Sequence, residues 1–232
     1  MQTALFREAS VLADLALVEP ERMKDAKDRL RRFVQAYPNS RHIVSAREDL
    51  ARIQLNSGDF SGAEGTIADL ARIPRAAERA AVLHAKVLGK QSRFDEAVSE
   101  LDRLIRSLPE KSKALRDARL VKAEALVGAK KFTDAEALVR QVIAESPAED
   151  AALQSVAYNT LGDCLRAANH PKEALLAYLH TDLLYSKDKV EHPRALAQIE
   201  RLFRLLKQDG RADEYAQRLK QDYPRSQWLS AK

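Results

Sequence analysis

The feature that most narrows what this chain can fold into is an internal repeat. Short polar turns, each followed by a ring, a proline or an alanine, recur at Gly58-Asp59-Phe60, Ser92-Arg93-Phe94, Lys130-Lys131-Phe132, Asn169-His170-Pro171 and Gly210-Arg211-Ala212. The third residues of these turns lie 34, 38, 39 and 41 positions apart. An alanine follows three places on at Ala63, Ala97, Ala135 and Ala174; the last copy has Tyr215 there, with Ala216 beside it, and an earlier copy fits Met23 and Ala26. Prolines mark a second set of boundaries at Pro38, Pro74, Pro109 and Pro147, spaced by 36, 35 and 38. Proline cannot continue a helix interior, so each one stops a unit.

The units are helical. Ala195–Gln208 places Leu196, Ile199, Leu202, Phe203 and Leu206 on one helix face, and Phe132–Ile143 does the same with Phe132, Ala135, Leu138, Val139 and Val142. Only 7 glycines and 8 prolines interrupt 232 residues, and no two-residue alternation bounded by turns is present, so no sheet is expected. The expected architecture is all-α, twelve helices in six pairs, over 2–18 and 21–36, 40–56 and 60–72, 75–91 and 94–107, 111–129 and 132–145, 149–168 and 171–185, 193–208 and 211–222. The corresponding repeats are 2–38, 40–74, 75–109, 111–147, 149–186 and 193–224, in a single domain over 1–232. One such pair cannot bury its apolar face alone, whereas a stack of pairs makes a continuous core.

The residues at these positions resemble the tetratricopeptide repeat (TPR), whose first helix reads W-x2-L-G-x2-Y, with an early alanine in the second helix and a proline after it. The fifth pair carries Tyr158, Leu161, Gly162, Leu165 and Ala174; the third Ala81, His84, Ala85, Leu88, Phe94, Ala97 and Pro109; the fourth Arg119, Lys122, Ala123, Leu126, Phe132, Ala135 and Pro147. The second is weaker, and the first and sixth are degenerate. The resemblance implies a right-handed α-solenoid in which Gly162, Ala123 and Ala85 let paired helices approach, while Phe60, Phe94 and Phe132 fill the space toward the next pair. Tyr37-Pro38-Asn39-Ser40 and Tyr223-Pro224-Arg225-Ser226 further resemble bacterial envelope-associated TPR proteins.

Chemistry-bearing motifs are missing from the sequence. Phosphate-binding, dinucleotide-binding, serine-hydrolase and paired-histidine zinc signatures do not occur, so no catalytic residue, metal or cofactor is expected. None of His42, His84, His170, His180 and His192 pairs with another at helical spacing. The lone Cys164 cannot form an intrachain disulfide, and its mid-helix setting suits a buried thiol. Tyr178 and Tyr185 are read as packing aromatics, with a groove role as the alternative. Lys+Arg of 39 against Asp+Glu of 34 gives +5, with acids interleaved among the bases, which disfavours nucleic acid as the partner. No apolar stretch approaches the ~20 residues of a membrane span, so no direct membrane insertion is expected. A cytoplasmic location is expected, and a periplasmic or envelope-associated one if a signal segment was removed.

The TPR resemblance implies a concave groove lined by first helices, with ligand-facing residues between the packing positions. Those residues are Arg52, Lys86, Glu124, Asn159, Asp163, Arg166, Glu200 and Arg204. Their mixed charge fits a polar peptide or a partner helix. A clamp for a C-terminal carboxylate, as some TPR domains possess, is incomplete: Asp163 stands where a second asparagine is wanted and Ala197 where a lysine is. The expected function is a non-catalytic scaffold that binds a protein or peptide segment. The rivals are a regulatory or assembly domain of a larger complex, which the apparent start inside a helix favours, and a nucleic-acid-binding helical repeat.

Overall fold

A computed structural model of the chain describes residues 2–229. Among these, twelve α-helices and no strand are present: α1 (Gln2–Val18), α2 (Met23–Ala36), α3 (Ile43–Asn56), α4 (Phe60–Ala71), α5 (Ala77–Lys90), α6 (Phe94–Ser107), α7 (Lys113–Gly128), α8 (Phe132–Glu145), α9 (Ala151–Ala167), α10 (Pro171–Leu184), α11 (Glu191–Leu205) and α12 (Asp209–Asp222). Every end lies within 3 residues of the expected span. The chain forms two compact units that divide between Gln91 and Ser92, with α1–α5 in the first and α6–α12 in the second.

Packing within each unit is serial. In the first, each helix packs on the next, and α1 also touches α3 and α3 touches α5. In the second, each helix from α6 to α12 packs on its successor, and α7 touches α9, which touches α11. No comparably close approach joins α2 with α4, α8 with α10, or α10 with α12. The first helices of successive pairs therefore form an inner row, and the second helices stand apart in an outer row.

One small residue in each outer-row helix fixes this arrangement. Ala26, Ala63, Ala97, Ala135, Ala174 and Ala212 are all 0% exposed. A larger side chain at these fully buried positions would overpack the core. Around them the first unit buries Leu30, Leu50 and Ile53 at one end, and Val44, Ile67 and Leu70 at the other. The second unit has one continuous cluster that includes Val139, Leu165, Tyr178, Ile199 and Leu202. Burying each such aliphatic side chain contributes about 1.5–3 kcal/mol. Two rings rest on glycines: Phe94 lies against Gly128 of α7, the next pair's first helix, and Tyr178 lies against Gly162.

The turns inside the pairs share one backbone device. Gly58, Ser92, Lys130, Asn169 and Lys207 all have φ between +58 and +75. In four of them the amide of the left-handed residue bonds three places back and the next amide bonds five places back, for example Lys130 to Val127 at 3.0 Å and Lys131 to Leu126 at 2.8 Å. This closes the orphan carbonyls at the helix end. It also corrects the last repeat. The turn falls at Lys207, not at Gly210, which lies inside α12, and the alanine is Ala212, not Ala216. Measured from Asn169 to Lys207, the spacing is 38 and the sixth copy becomes regular.

Between pairs, Tyr37 to Ser40 and Tyr223 to Ser226 make the same turn. Each serine amide donates to the tyrosine carbonyl at 3.0 Å, and each serine hydroxyl accepts an amide two residues on at 3.2 Å. After Tyr185, Asp188 takes the serine's place. Its carboxylate accepts the Val190 and Glu191 amides at 2.9 Å and the Ser155 hydroxyl at 2.6 Å. This cap starts α11 at Glu191, earlier than expected, and leaves Pro193 in the first turn, where no amide is needed.

Candidate interaction face

The inner row of the second unit carries a buried polar lattice that links three helices. Asp163 of α9 accepts the Tyr178 hydroxyl of α10 at 2.6 Å and pairs with the Arg194 guanidinium of α11. Arg194 also reaches Glu191 at 3.0 Å, and Glu191 accepts the Asn159 amide at 2.8 Å. Burial opposes the charge on Arg194, but Asp163, Glu191 and Glu124 of α7 outweigh it and hold the guanidinium protonated. Burial, reinforced by Asp163, pushes the Tyr178 hydroxyl far above the usual phenol range, so it stays a donor.

The expected contact residues divide by exposure. Glu124 and Arg166 are exposed on α7 and α9, and Arg166 lies 3.9 Å from Asp163. Asp163 itself is half-buried and engaged by Tyr178 and Arg194. Asn159 is not on the surface: it is 0% exposed, with its amide donating to both the backbone carbonyl and the side chain of Glu191. Glu200 pairs with Arg204, and Arg204 reaches Asp213 of α12 at 2.9 Å. In the first unit, Arg52 bridges Asp49 at 2.6 Å and Asp14 of α1 at 3.9 Å, and Lys86 is half-buried on α5. Nearby, Glu48 meets Arg79 of α5 at 2.8 Å. Burial raises the Glu48 and Asp49 carboxyls above their ordinary range, and their arginine partners offset only part of that.

Sequence reasoning missed Glu191, which lay in the expected link before α11, and Arg194, which lay in the first turn of the expected helix 193–208. It also missed a second buried cluster. Asp182 of α10, 5% exposed, accepts from His192 at 2.9 Å, from both Arg218 nitrogens at 2.7 and 3.1 Å, and from the Tyr215 hydroxyl at 3.1 Å. The other His192 nitrogen meets the Tyr223 hydroxyl at 2.8 Å. Burial alone would raise the Asp182 carboxyl; the His192 and Arg218 hydrogen bonds overcome it and hold the group well below the carboxylate range. Cys164 is buried, and burial, with Asp163 beside it, pushes its thiol up to about 12, so it is a packing residue. Among the described residues, no three His, Cys, Asp or Glu side chains converge on a metal-sized site, and no helix is long and apolar enough to cross a membrane.

Comparison with known proteins places this arrangement. A family model described as the tetratricopeptide repeat matches residues 3–40. That stretch is the pair whose sequence pattern reads as degenerate; its first helix buries Ala9, Ala13 and Ala16, while Ala26 is the usual alanine of the second helix. TTC0263, a thermophilic TPR protein in Thermus thermophilus, is 19% identical, with a TM-score of 0.67 over 86% of this chain and 99% of that one. The chain has a tetratricopeptide-repeat fold. Two other TPR-like matches are PilW, a type IV pilus biogenesis factor, at 17% identity and TM-score 0.60 over 97% of this chain and 96% of that one, and PilF of Pseudomonas aeruginosa, at 17% and 0.53 over 99% and 96%. No curated protein sequence matches. At these identities the likeness concerns the TPR fold alone, which in general serves as a protein-interaction scaffold.

Proposed function

We propose that this TPR protein is a non-catalytic scaffold that binds a protein or peptide segment along the inner row of its second unit. One observation carries the reading: Glu124, Asp163, Arg166 and Arg194 put charges of both signs on three consecutive first helices, and Asp163 is fixed by Arg194 and Tyr178 beside the exposed Arg166. Mixed charge of this kind suits a polar segment read by hydrogen bonds and ion pairs. The carboxylates Glu124, Asp163 and Glu200 among the cations work against a polyanion such as nucleic acid. Arg52 and Lys86 form the corresponding candidate set in the first unit, and Glu200 and Arg204 extend the second.

Photocrosslinking in cells that produce the chain tests the proposal. A benzophenone side chain replacing Arg166 or Glu124 should give discrete protein adducts, and one replacing Ala137 on the outer side of α8 should not. Adducts of equal yield from all three positions, or none from the inner row, would refute it.

A further inference from the structure

The six outer-row helices can be superposed in register on their buried alanines, Ala26, Ala63, Ala97, Ala135, Ala174 and Ala212. Two places after the alanine, five of them carry Asp28, Gly65, Ser99, Ala137 and Glu214; nine places after, they carry Gln35, Arg72, Arg106, Ala144 and Gln221. All are polar or small, as a solvated face requires. Helix α10 alone breaks the rule, with Leu176 and Leu183 at these two places, 60% and 73% exposed. Leu184 beside them is 65% exposed. The opposite side of α10 is already occupied by Ala174, Leu175, Ala177 and Tyr178, so large apolar side chains stand on both sides of the helix, with exposed His180 between Leu176 and Leu183. A helix of that kind normally has neighbours on both sides. This face belongs to the middle of the second unit, between two further pairs, and is not an open end of the stack.

The rim identifies the occupant. Lys172 lies one turn before Leu176, and Lys187 and Lys189 lie in the turns just beyond the end of α10 at Leu184; all three are exposed. Glu173 is the one exposed acid between Lys172 and Lys189, since Asp182 is buried and Asp188 half-buried, and it lies 3.6 Å from His170. Leu176 and Leu183 are seven residues apart, about 10.5 Å along the axis, which is the two-turn spacing of knobs that seat a crossing helix. A second copy laid antiparallel on α10 would set Leu176 on Leu183 but would also set Lys172 against Lys187, like charge on like charge. An anionic bilayer would meet Glu173 together with a stripe only one helix wide. We infer that the outer face of α10 is a second docking surface, distinct from the inner row, and that it receives an amphipathic helix of a partner with a leucine-type stripe flanked by carboxylates at both ends.

Fluorescence anisotropy with two synthetic helical peptides tests this on the full chain: the same leucine stripe, flanked by glutamates in one and by lysines in the other. The glutamate-flanked peptide should bind saturably, at least about tenfold tighter than the other. Leu176→Asp with Leu183→Asp should weaken it by at least about tenfold, and circular dichroism should show an unchanged fold because both side chains are exposed. Lys172→Glu with Lys187→Glu should reverse the preference between peptides, and Arg166→Glu on the inner row should leave it alone. Equal binding of the two peptides, no saturable binding, or no effect of the leucine changes overturns the inference. So does leucine-dependent cosedimentation with 3:1 phosphatidylcholine–phosphatidylserine vesicles, or a leucine-dependent dimer in sedimentation velocity, in the absence of peptide binding.

Discussion

Replacing Gly162 by alanine gives a sharp test of how these pairs are packed. In an open helical position the added methyl stabilises a helix by about 1 kcal/mol relative to glycine. At Gly162, however, a Cβ would come within 2.5–2.7 Å of three ring atoms of Tyr178. That ring is 0% exposed and anchored by its hydroxyl on Asp163 at 2.6 Å, so it cannot swing away. Overpacking of this kind costs about 1–3 kcal/mol. Moving the ring by about 1 Å also endangers a hydrogen bond to a carboxylate, worth about 1.5–3 kcal/mol. These penalties exceed the helix gain, and Gly162→Ala should destabilise the second unit by about 2 kcal/mol. Gly65 and Gly89 are the internal controls: a Cβ there meets nothing within 4 Å, so each alanine should stabilise by about 0.5–1 kcal/mol. Urea unfolding followed by far-ultraviolet circular dichroism reads all three. The double variant Gly162→Ala/Tyr178→Leu should recover part of the loss as a favourable coupling. The reasoning fails if Gly162→Ala matches or exceeds the native stability, or if the cost is the same whether residue 178 is tyrosine or leucine.

Lys130→Gly and Lys207→Gly should each raise stability by about 0.5–1 kcal/mol in urea unfolding, because both residues sit in the left-handed region where a Cβ is penalised. Asp182→Ala should lower stability by about 2 kcal/mol, since it leaves the buried His192 without its carboxylate and frees the half-exposed Arg218. With its carboxyl held below the ordinary range, the stability Asp182 contributes is present above about pH 4 and is lost as acid titrates the group below that, so the native protein should show a steeper acid loss than the variant in pH-dependent melting. Asp49 has the opposite sign: its raised carboxyl favours the protonated folded form, a contribution present below about pH 4 and lost as pH rises through the raised value, so Asp49→Asn should increase stability at neutral pH in the same melting series. Cys164 should resist iodoacetamide in the native protein at about pH 8 and react once urea unfolds the chain, which mass spectrometry of pulse-labelled samples will show.

The pairs were legible in the sequence because their markers are packing requirements. A buried alanine early in each second helix and a proline at most of the stops recur for steric reasons, and steric reasons leave a nearly fixed spacing. The last pair was misread because its turn uses Lys207 in a left-handed conformation, which lysine does not signal, while the glycine nearby lies inside the helix. The polar sites were less legible. Asn159 and Asp163 stand out as polar positions between apolar ones, but their partners Glu191 and Arg194 come from the next pair, some 31 or 32 residues later. Only the approach of α9 to α11 shows that Asn159 is buried and that Asp163 is an anchor. Leu176 and Leu183 carry no mark in the sequence that separates them from buried leucines, and the fold turns them outward.

The contact at Asp182 affects how the end of the molecule can move. Smooth surfaces of alanine and leucine allow one helix to slide by a turn over its neighbour at modest cost, since one methyl replaces another. A single carboxylate gripped from α11 by His192 and from α12 by Tyr215 and Arg218 has no such alternative. Any slip of about 5.4 Å would leave a charge stranded away from water. Asp182 therefore acts as a key in a keyway: the closing pair can detach as a whole or stay seated, with no stable halfway position.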